Sequence, residues 1–515
     1  MNEAELSGEP VHRVPSGSAG LDIVLNGGWL HGGTYMVTGA PGTGKTILGN
    51  QLCFSHVANG GRAVFVTMLS ESHGRMMTHL RQMDFFQQEV IGQKLHFVSG
   101  YATLKAEGLD GLSKLLYRAV REHQASVLVV DGLLAVQESA GGMLPLREFL
   151  HALGVHNALA GCTTLVLTNR QENASDPQFA MVDGVLRLEL QLEGLRAVRT
   201  LEVSKLRGGP QLTGRHTFEI TTRGIRVHPR IESLYPDLPQ MAPDPDRRLG
   251  FGVPRLDAML QGGLPAHSST LLFGSPGSGK TLLGLHFLAD GVRAGETGLY
   301  FGFMETSPRL RAKAVGVGQA LESWVEQGKL LLETRAAVDI LPDALVHELL
   351  GLVRRHGVRR LVLDGLESLV KETLPPRRVP GFLTALINEL RSLGVTSLMT
   401  HQSNVLFGPR LEARLEGVEA IVDNIIFLRY VELRSQLYRM LSILKMRESD
   451  YEPALREFSI STQGIDVAET FESAEAILTG QARTQESRRG SAPRKKPAGR
   501  KKPAPRTPPK RRSRA

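Results

Sequence analysis

Gly39-Ala40-Pro41-Gly42-Thr43-Gly44-Lys45-Thr46 and Gly274-Ser275-Pro276-Gly277-Ser278-Gly279-Lys280-Thr281 are two copies of one pattern, G-x-x-x-x-G-K-[ST]. Glycines at these places let successive backbone N–H groups turn inward around a phosphate. The lysine adds a mobile cation, and the closing threonine hydroxyl is a hard oxygen ligand suited to Mg²⁺. Such a loop must leave a buried strand and open a helix whose N-terminus faces the phosphates. Both copies have that setting: Thr34-Tyr35-Met36-Val37-Thr38 and Thr270-Leu271-Leu272-Phe273 are β-prone, and apolar helical stretches follow from Ile47 to Val57 and from Leu282 to Val292. Each copy therefore reads as a site for a nucleoside triphosphate, with ATP and Mg²⁺ the expected occupants.

The repeat extends beyond the loops. Gly17, Leu21-Asp22, Leu25 and Gly27-Gly28 match Gly252, Leu256-Asp257, Leu260 and Gly262-Gly263 without a gap. This lead-in predicts a short helix ending at a glycine pair, either a lid beside the nucleotide or a cap on the domain. Downstream, Arg62 to Met68 and Gly298 to Met304 predict a second buried strand in each unit, with Glu71 and Glu305 just past their ends. Ligands of open parallel sheets sit beyond the carboxyl ends of strands, which places both glutamates to activate an attacking water. The competing reading is a glutamate favoured by a helix N-terminus.

Ser126 to Gly132 and Arg360 to Gly365 are apolar runs ending in Asp131 and Asp364. An aspartate in that place, downstream of a phosphate loop, is expected to hold Mg²⁺ with Thr46 or Thr281. The strands Thr163 to Thr168 and Thr396 to Met399 end in Asn169-Arg170 and Thr400-His401-Gln402, which either sense the γ-phosphate or satisfy strand-end hydrogen bonds. Later, Lys205-Leu206-Arg207 and Lys445-Met446-Arg447 each place two cations on one face of a strand, for a phosphate or as edge protection.

These repeats divide the chain of 515 residues into an α/β domain at 1–228, a proline-rich linker at 229–247, a second α/β domain at 248–478 and a tail at 479–515. The net charge of +9 hides an uneven distribution. Residues 481–515 hold 14 Lys/Arg and one acid, whereas the remainder has 47 Lys/Arg against 51 Asp/Glu. The tail lacks apolar residues other than alanine and is expected to be disordered. No apolar run reaches the length of a membrane span, and Met1 to Glu5 is acidic, unlike a basic signal-peptide start, so a soluble cytoplasmic protein with no membrane partner is expected. Cys53 and Cys162 are too few for a disulfide framework or metal cluster and are expected to be buried.

The tandem loops, the L-D…G-G lead-in and Asp423 to Glu432 running into Lys445-Met446-Arg447 resemble the KaiC family of RecA-like ATPases over roughly residues 10 to 478. The resemblance implies two stacked RecA-like P-loop domains, assembly into a hexamer, and ATP between neighbouring subunits, with Lys205, Arg207, Lys445 and Arg447 reaching the neighbour's γ-phosphate. The sequence departs from the family twice. Adjacent catalytic glutamates are replaced by Ser70-Glu71 and Met304-Glu305, and the clock protein's phosphorylated Ser-Thr pair by Glu419-Ala420. The leading expectation is an ATP-hydrolysing hexameric switch reporting to a signalling protein partner. One alternative is a nucleic-acid-associated ATPase that uses the tail as a non-specific anchor, since its cations would neutralise phosphates while the absence of aromatics gives no base stacking. The other is a KaiC-type serine/threonine kinase, for which Glu419-Ala420 supplies no acceptor hydroxyl.

Overall fold

The computed structural model describes residues 12–68, 73–169, 177–193, 196–238, 241–319, 321–338, 341–370, 374–403, 417–433, 436–447 and 449–468. Glu71, Arg170 and the basic tail lie outside them. In the first half the strands are β1 (Thr34–Gly39), β2 (Ala63–Thr67), β3 (Leu95–Ser99), β4 (Val127–Asp131), β5 (Thr163–Thr168), β6 (Gly184–Glu193), β7 (Arg196–Leu206), β8 (Arg215–Thr221) and β9 (Gly224–His228). They form one nine-stranded sheet in the order β9-β8-β7-β6-β1-β5-β4-β2-β3. From β6 to β3 the pairing is parallel, and β7, β8 and β9 extend it antiparallel.

The second half repeats this with β10 (Ser269–Gly274), β11 (Gly298–Gly302), β12 (Leu330–Thr334), β13 (Arg360–Asp364), β14 (Thr396–Gln402), β15 (Asn424–Leu433), β16 (Gln436–Met446), β17 (Arg456–Ser461) and β18 (Gly464–Val467). Its order, β12-β11-β13-β14-β10-β15-β16-β17-β18, is the first sheet's order read from the other end. These are two tandem RecA-like α/β domains. Every residue of β1, β2, β4, β10, β11 and β13 is buried. Helices cover both faces of a parallel sheet, so its strands read as unbroken apolar runs rather than as an alternation.

The loop helices are α1 (Lys45–Ala58) and α2 (Lys280–Arg293). Each packs apolar side chains, including Leu48, Leu52 and Phe54 in α1 and Leu283, Phe287 and Leu288 in α2, into its domain core. The lead-in pattern folds as short helices, Ala19–Val24 and Pro254–Met259. Their aspartates turn back on their own loops: Asp22 accepts from the Ser16 N–H at 2.7 Å and Asp257 from the Phe251 N–H at 2.7 Å. That geometry supports the cap rather than the lid. No helix among the described residues is long and apolar enough to cross a membrane. Cys53 and Cys162 are buried free thiols, and burial pushes the Cys162 thiol up to about 12, so it stays protonated.

The proline-rich stretch between the domains carries structure that composition did not predict. Ile231–Leu234 is a single helical turn whose Ile231 is fully buried in the second domain's core, and Asp244–Leu249 pairs antiparallel with Leu264–Ala266. An ion cluster holds the turn in place. Asp343, fully buried, accepts from the Ile231 N–H at 3.3 Å and from the Arg378 guanidinium at 2.9 Å, while Arg378 also forks onto Glu232 at 2.7 Å. Burial works against the Arg378 charge, but Glu232 and Asp343 outweigh it and hold its pKa above the usual arginine value. Asp343→Ala is expected to destabilise the second domain by about 3 kcal/mol, because it strips one acceptor from a largely buried guanidinium. Asp343→Asn should cost less, since it keeps an oxygen acceptor. Urea midpoints for the two variants check this, and equal midpoints to wild type would show that the cluster contributes no net stability.

Candidate nucleotide sites

Each phosphate loop leaves the carboxyl end of a central strand and enters its helix through a glycine. Gly44 and Gly279 are the N-caps of α1 and α2, both at φ 105°, in the left-handed region. A Cβ at Gly44 would stand 2.8 Å from the Ile220 Cδ1 atom, a side-chain end that can shift, so it is the positive φ that calls for glycine there.

The two lysines adopt the same pose. Lys45 Nζ donates to the Gly39 and Ala40 carbonyls at 2.8 and 2.9 Å, and Lys280 Nζ to the Gly274 and Ser275 carbonyls at 2.8 and 2.9 Å. Both ammonium groups are held over the concave side of their loops by neutral oxygens. Burial lowers both lysine pKa values, opposed by Asp131 at Lys45 and by Glu367 and Asp364 at Lys280. An anion in the loop would offset that desolvation by attracting the ammonium charge.

The threonine and aspartate named from sequence meet in both domains. Thr46 Oγ1 donates to Asp131 Oδ2 at 2.7 Å, and Thr281 Oγ1 to Asp364 Oδ2 at 2.8 Å. A hydroxyl and a carboxylate at the mouth of a phosphate loop are the hard oxygen donors that Mg²⁺ takes, so the residues present fit the ion. Burial raises the Asp131 pKa, with the Thr46 hydrogen bond and Lys45 opposing.

Glu305 lies between the end of β11 and the helix Ser307–Gly316, with a side chain 16% exposed. Lys313 binds its Oε1, while Oε2 is buried without a partner among the described residues. The glutamate's charge is felt at Tyr300, the residue beside Asp364. Lys313, in the helix that follows, gives the glutamate a structural partner. Glu71 lies outside the described residues.

The strand-end residues resolve differently from the γ-phosphate reading. Thr400 donates to Asp364 Oδ1 and accepts from the Gly365 N–H at 2.9 Å, while His401 lies 3.5 Å from Glu367. In the first domain Asn169 is exposed and Arg170 lies outside the described residues.

The paired cations do not reach their own phosphate loops. Lys205 Nζ donates to the Phe179 and Val182 carbonyls at 2.7 and 2.6 Å, and Lys445 Nζ to the Glu419 and Val422 carbonyls at 2.8 and 2.7 Å. Arg207 and Arg447 donate to the Ala180 and Ala420 carbonyls at 3.3 and 2.8 Å. Each arginine lies one residue past the end of its strand, so the pair is set by the strand end as well as by alternation.

Three residues of the second site escaped sequence reading. Tyr300 donates to Asp364 Oδ2 at 2.5 Å, Tyr430 donates to the loop carbonyl of Gly277 at 2.6 Å, and Glu367 faces Lys280. The first domain has Phe65, Leu190 and Leu134 in the corresponding places. A comparison of the two repeats beyond their shared motifs, position by position, is the signal that finds them.

A sequence model of the family described as "ATPase: KaiC" matches residues 14–232 and 249–472. Among curated proteins, the chain is 25% identical over 490 residues to the circadian clock oscillator protein KaiC of Rippkaea orientalis, covering 93% of each. It is 26% identical to the circadian clock oscillator protein KaiC 1 of Synechocystis, again over 93% of each, and 27% identical to that of Nostoc, over 93% of each.

Proposed function

The chain belongs to the KaiC family of ATPases, and from that premise we propose that both phosphate loops bind ATP with Mg²⁺ and that both sites hydrolyse it, within a ring of six subunits. The observation that carries this reading is the duplicated arrangement: lysine over the loop, threonine against aspartate, in two domains of one topology. The domains act at 1–228 and 248–478, joined through 229–247, with 479–515 as a separate tail. Lys45 and Lys280 neutralise the phosphates, Thr46 with Asp131 and Thr281 with Asp364 hold Mg²⁺, and Glu71 and Glu305 orient the attacking water.

Lys205, Arg207, Lys445 and Arg447 serve the nucleotide of the adjoining subunit. What supports this is their exclusion from their own loops, together with side chains of Arg207 and Arg447 that remain 59% and 51% exposed. Sizing with and without ATP and Mg²⁺ tests the ring, and a chain that stays monomeric with both present would refute it. Arg447→Ala is expected to lower turnover about tenfold while nucleotide binding persists, the effect of losing one charge-assisted hydrogen bond. Restoration of turnover by mixing with subunits defective only in Lys280 would place the arginine in trans.

In this reading the ring's nucleotide state is reported to a protein partner; the curated relatives are named circadian clock oscillator proteins. Glu419 and Ala420 lie on the turn Val418–Ile421 with their carbonyls occupied by Lys445 and Arg447. They offer no hydroxyl, so the reading omits a phosphorylation cycle there.

A further inference from the structure

The two sites differ where their motifs are identical, and we propose that Tyr300, with Thr400, is a positioning residue that fixes Asp364 for Mg²⁺ and gives the second site a lower Mg²⁺ requirement than the first. This rests on the reading of the second loop as a metal-nucleotide site. Asp364 accepts from Thr281 at 2.8 Å, from Tyr300 at 2.5 Å and from Thr400, so both carboxylate oxygens are engaged. Were Thr281 to give its hydroxyl oxygen to a metal, Tyr300 and Thr400 would still hold the carboxylate in place. Asp131 has Phe65 and Leu167 at the matching ladder positions, and neither carries a hydrogen-bond donor on its side chain.

Three further observations make the clamp a built feature. Tyr300 is fully buried, and its hydroxyl meets Asp364 Oδ2 at 2.5 Å. A buried phenol needs a partner, and the first domain shows that this fold packs phenylalanine at the same place. Gly302, beside Asp364 on the ladder, leaves the room: a Cβ there would stand 2.6 Å from the Tyr300 ring and 2.8 Å from its hydroxyl. The first domain has Thr67 in that position.

The test is equilibrium binding of a fluorescent ATP analogue to the full chain carrying Lys45→Ala, titrated with Mg²⁺. Adding Tyr300→Phe should raise the Mg²⁺ concentration for half-maximal binding about tenfold, the loss of one hydrogen bond to a charged group. Binding without Mg²⁺ should change by less than about twofold, since this donor acts on the metal's carboxylate. Thr400→Val should shift the requirement the same way, and in a Lys280→Ala chain Tyr300→Phe should change nothing. An unshifted Mg²⁺ requirement, or equal weakening with and without Mg²⁺, overturns the proposal. If the Lys45→Ala chain binds no analogue at any Mg²⁺ concentration, the reading of the second site fails and this inference with it. If it binds and Tyr300→Phe is silent, the clamp alone fails.

Discussion

Lys280→Ala is expected to lower ATP turnover at the second site by about 10²–10³-fold, and Lys45→Ala to do the same at the first. Each lysine is a cation lowered in pKa by burial and hydrogen-bonded only to neutral loop carbonyls at 2.8 and 2.9 Å. The carboxylates of Asp131, or of Glu367 and Asp364, act on it through space, so its ammonium hydrogen bonds are free to pass to an entering anion. Alanine removes that charge and leaves the glycine frame intact. Phosphate release by each variant then reports the other site alone. If one variant is nearly dead and the other nearly normal, a single domain does the hydrolysis. If each retains about half, the sites turn over independently, and if neither falls, the loops are not the hydrolytic sites.

Glu305→Gln should lower turnover at the second site by about 10²-fold, the lower end of what a positioned base contributes, while nucleotide binding remains. The glutamate follows the carboxyl end of β11, with one oxygen on Lys313 and the other buried without a partner among the described residues. Glutamine keeps the size and one acceptor oxygen but cannot take a proton from water. Single-turnover hydrolysis in a Lys45→Ala background isolates this step. Unchanged turnover would reduce Glu305 to the structural partner of Lys313 at a helix start.

How much of this was legible before the structure depends on distance along the chain. The strand–loop–helix setting of the two G-x-x-x-x-G-K-[ST] stretches, the strand at Thr163–Thr168 and the aspartates closing β4 and β13 were readable because each is a local pattern of few residues. The pairing of Thr46 with Asp131 followed from the expected chemistry and is met at 2.7 Å. The clamp on Asp364 was not legible, since Tyr300, Asp364 and Thr400 come from three strands and meet only through the order β11-β13-β14. Thr400 was named, but its alternatives turned on which atom lay beside it. The turn Ile231–Leu234 was missed because one helical turn has no period to detect, and its fixing depends on Asp343 and Arg378 more than 100 residues away.

The same limit applies to Lys205, Arg207, Lys445 and Arg447. Strand alternation places two cations on one face, yet only the fold shows that Phe179, Val182, Glu419 and Val422 carbonyls hold the lysines.

The central claim is that one chain carries two nucleotide sites of the same construction. Counting the nucleotide bound per chain at saturating ATP analogue and Mg²⁺ tests it most directly. Two per wild-type chain, one each for Lys45→Ala and Lys280→Ala, and none for the double variant is the predicted result. One per wild-type chain, or an unchanged count in either single variant, would contradict it.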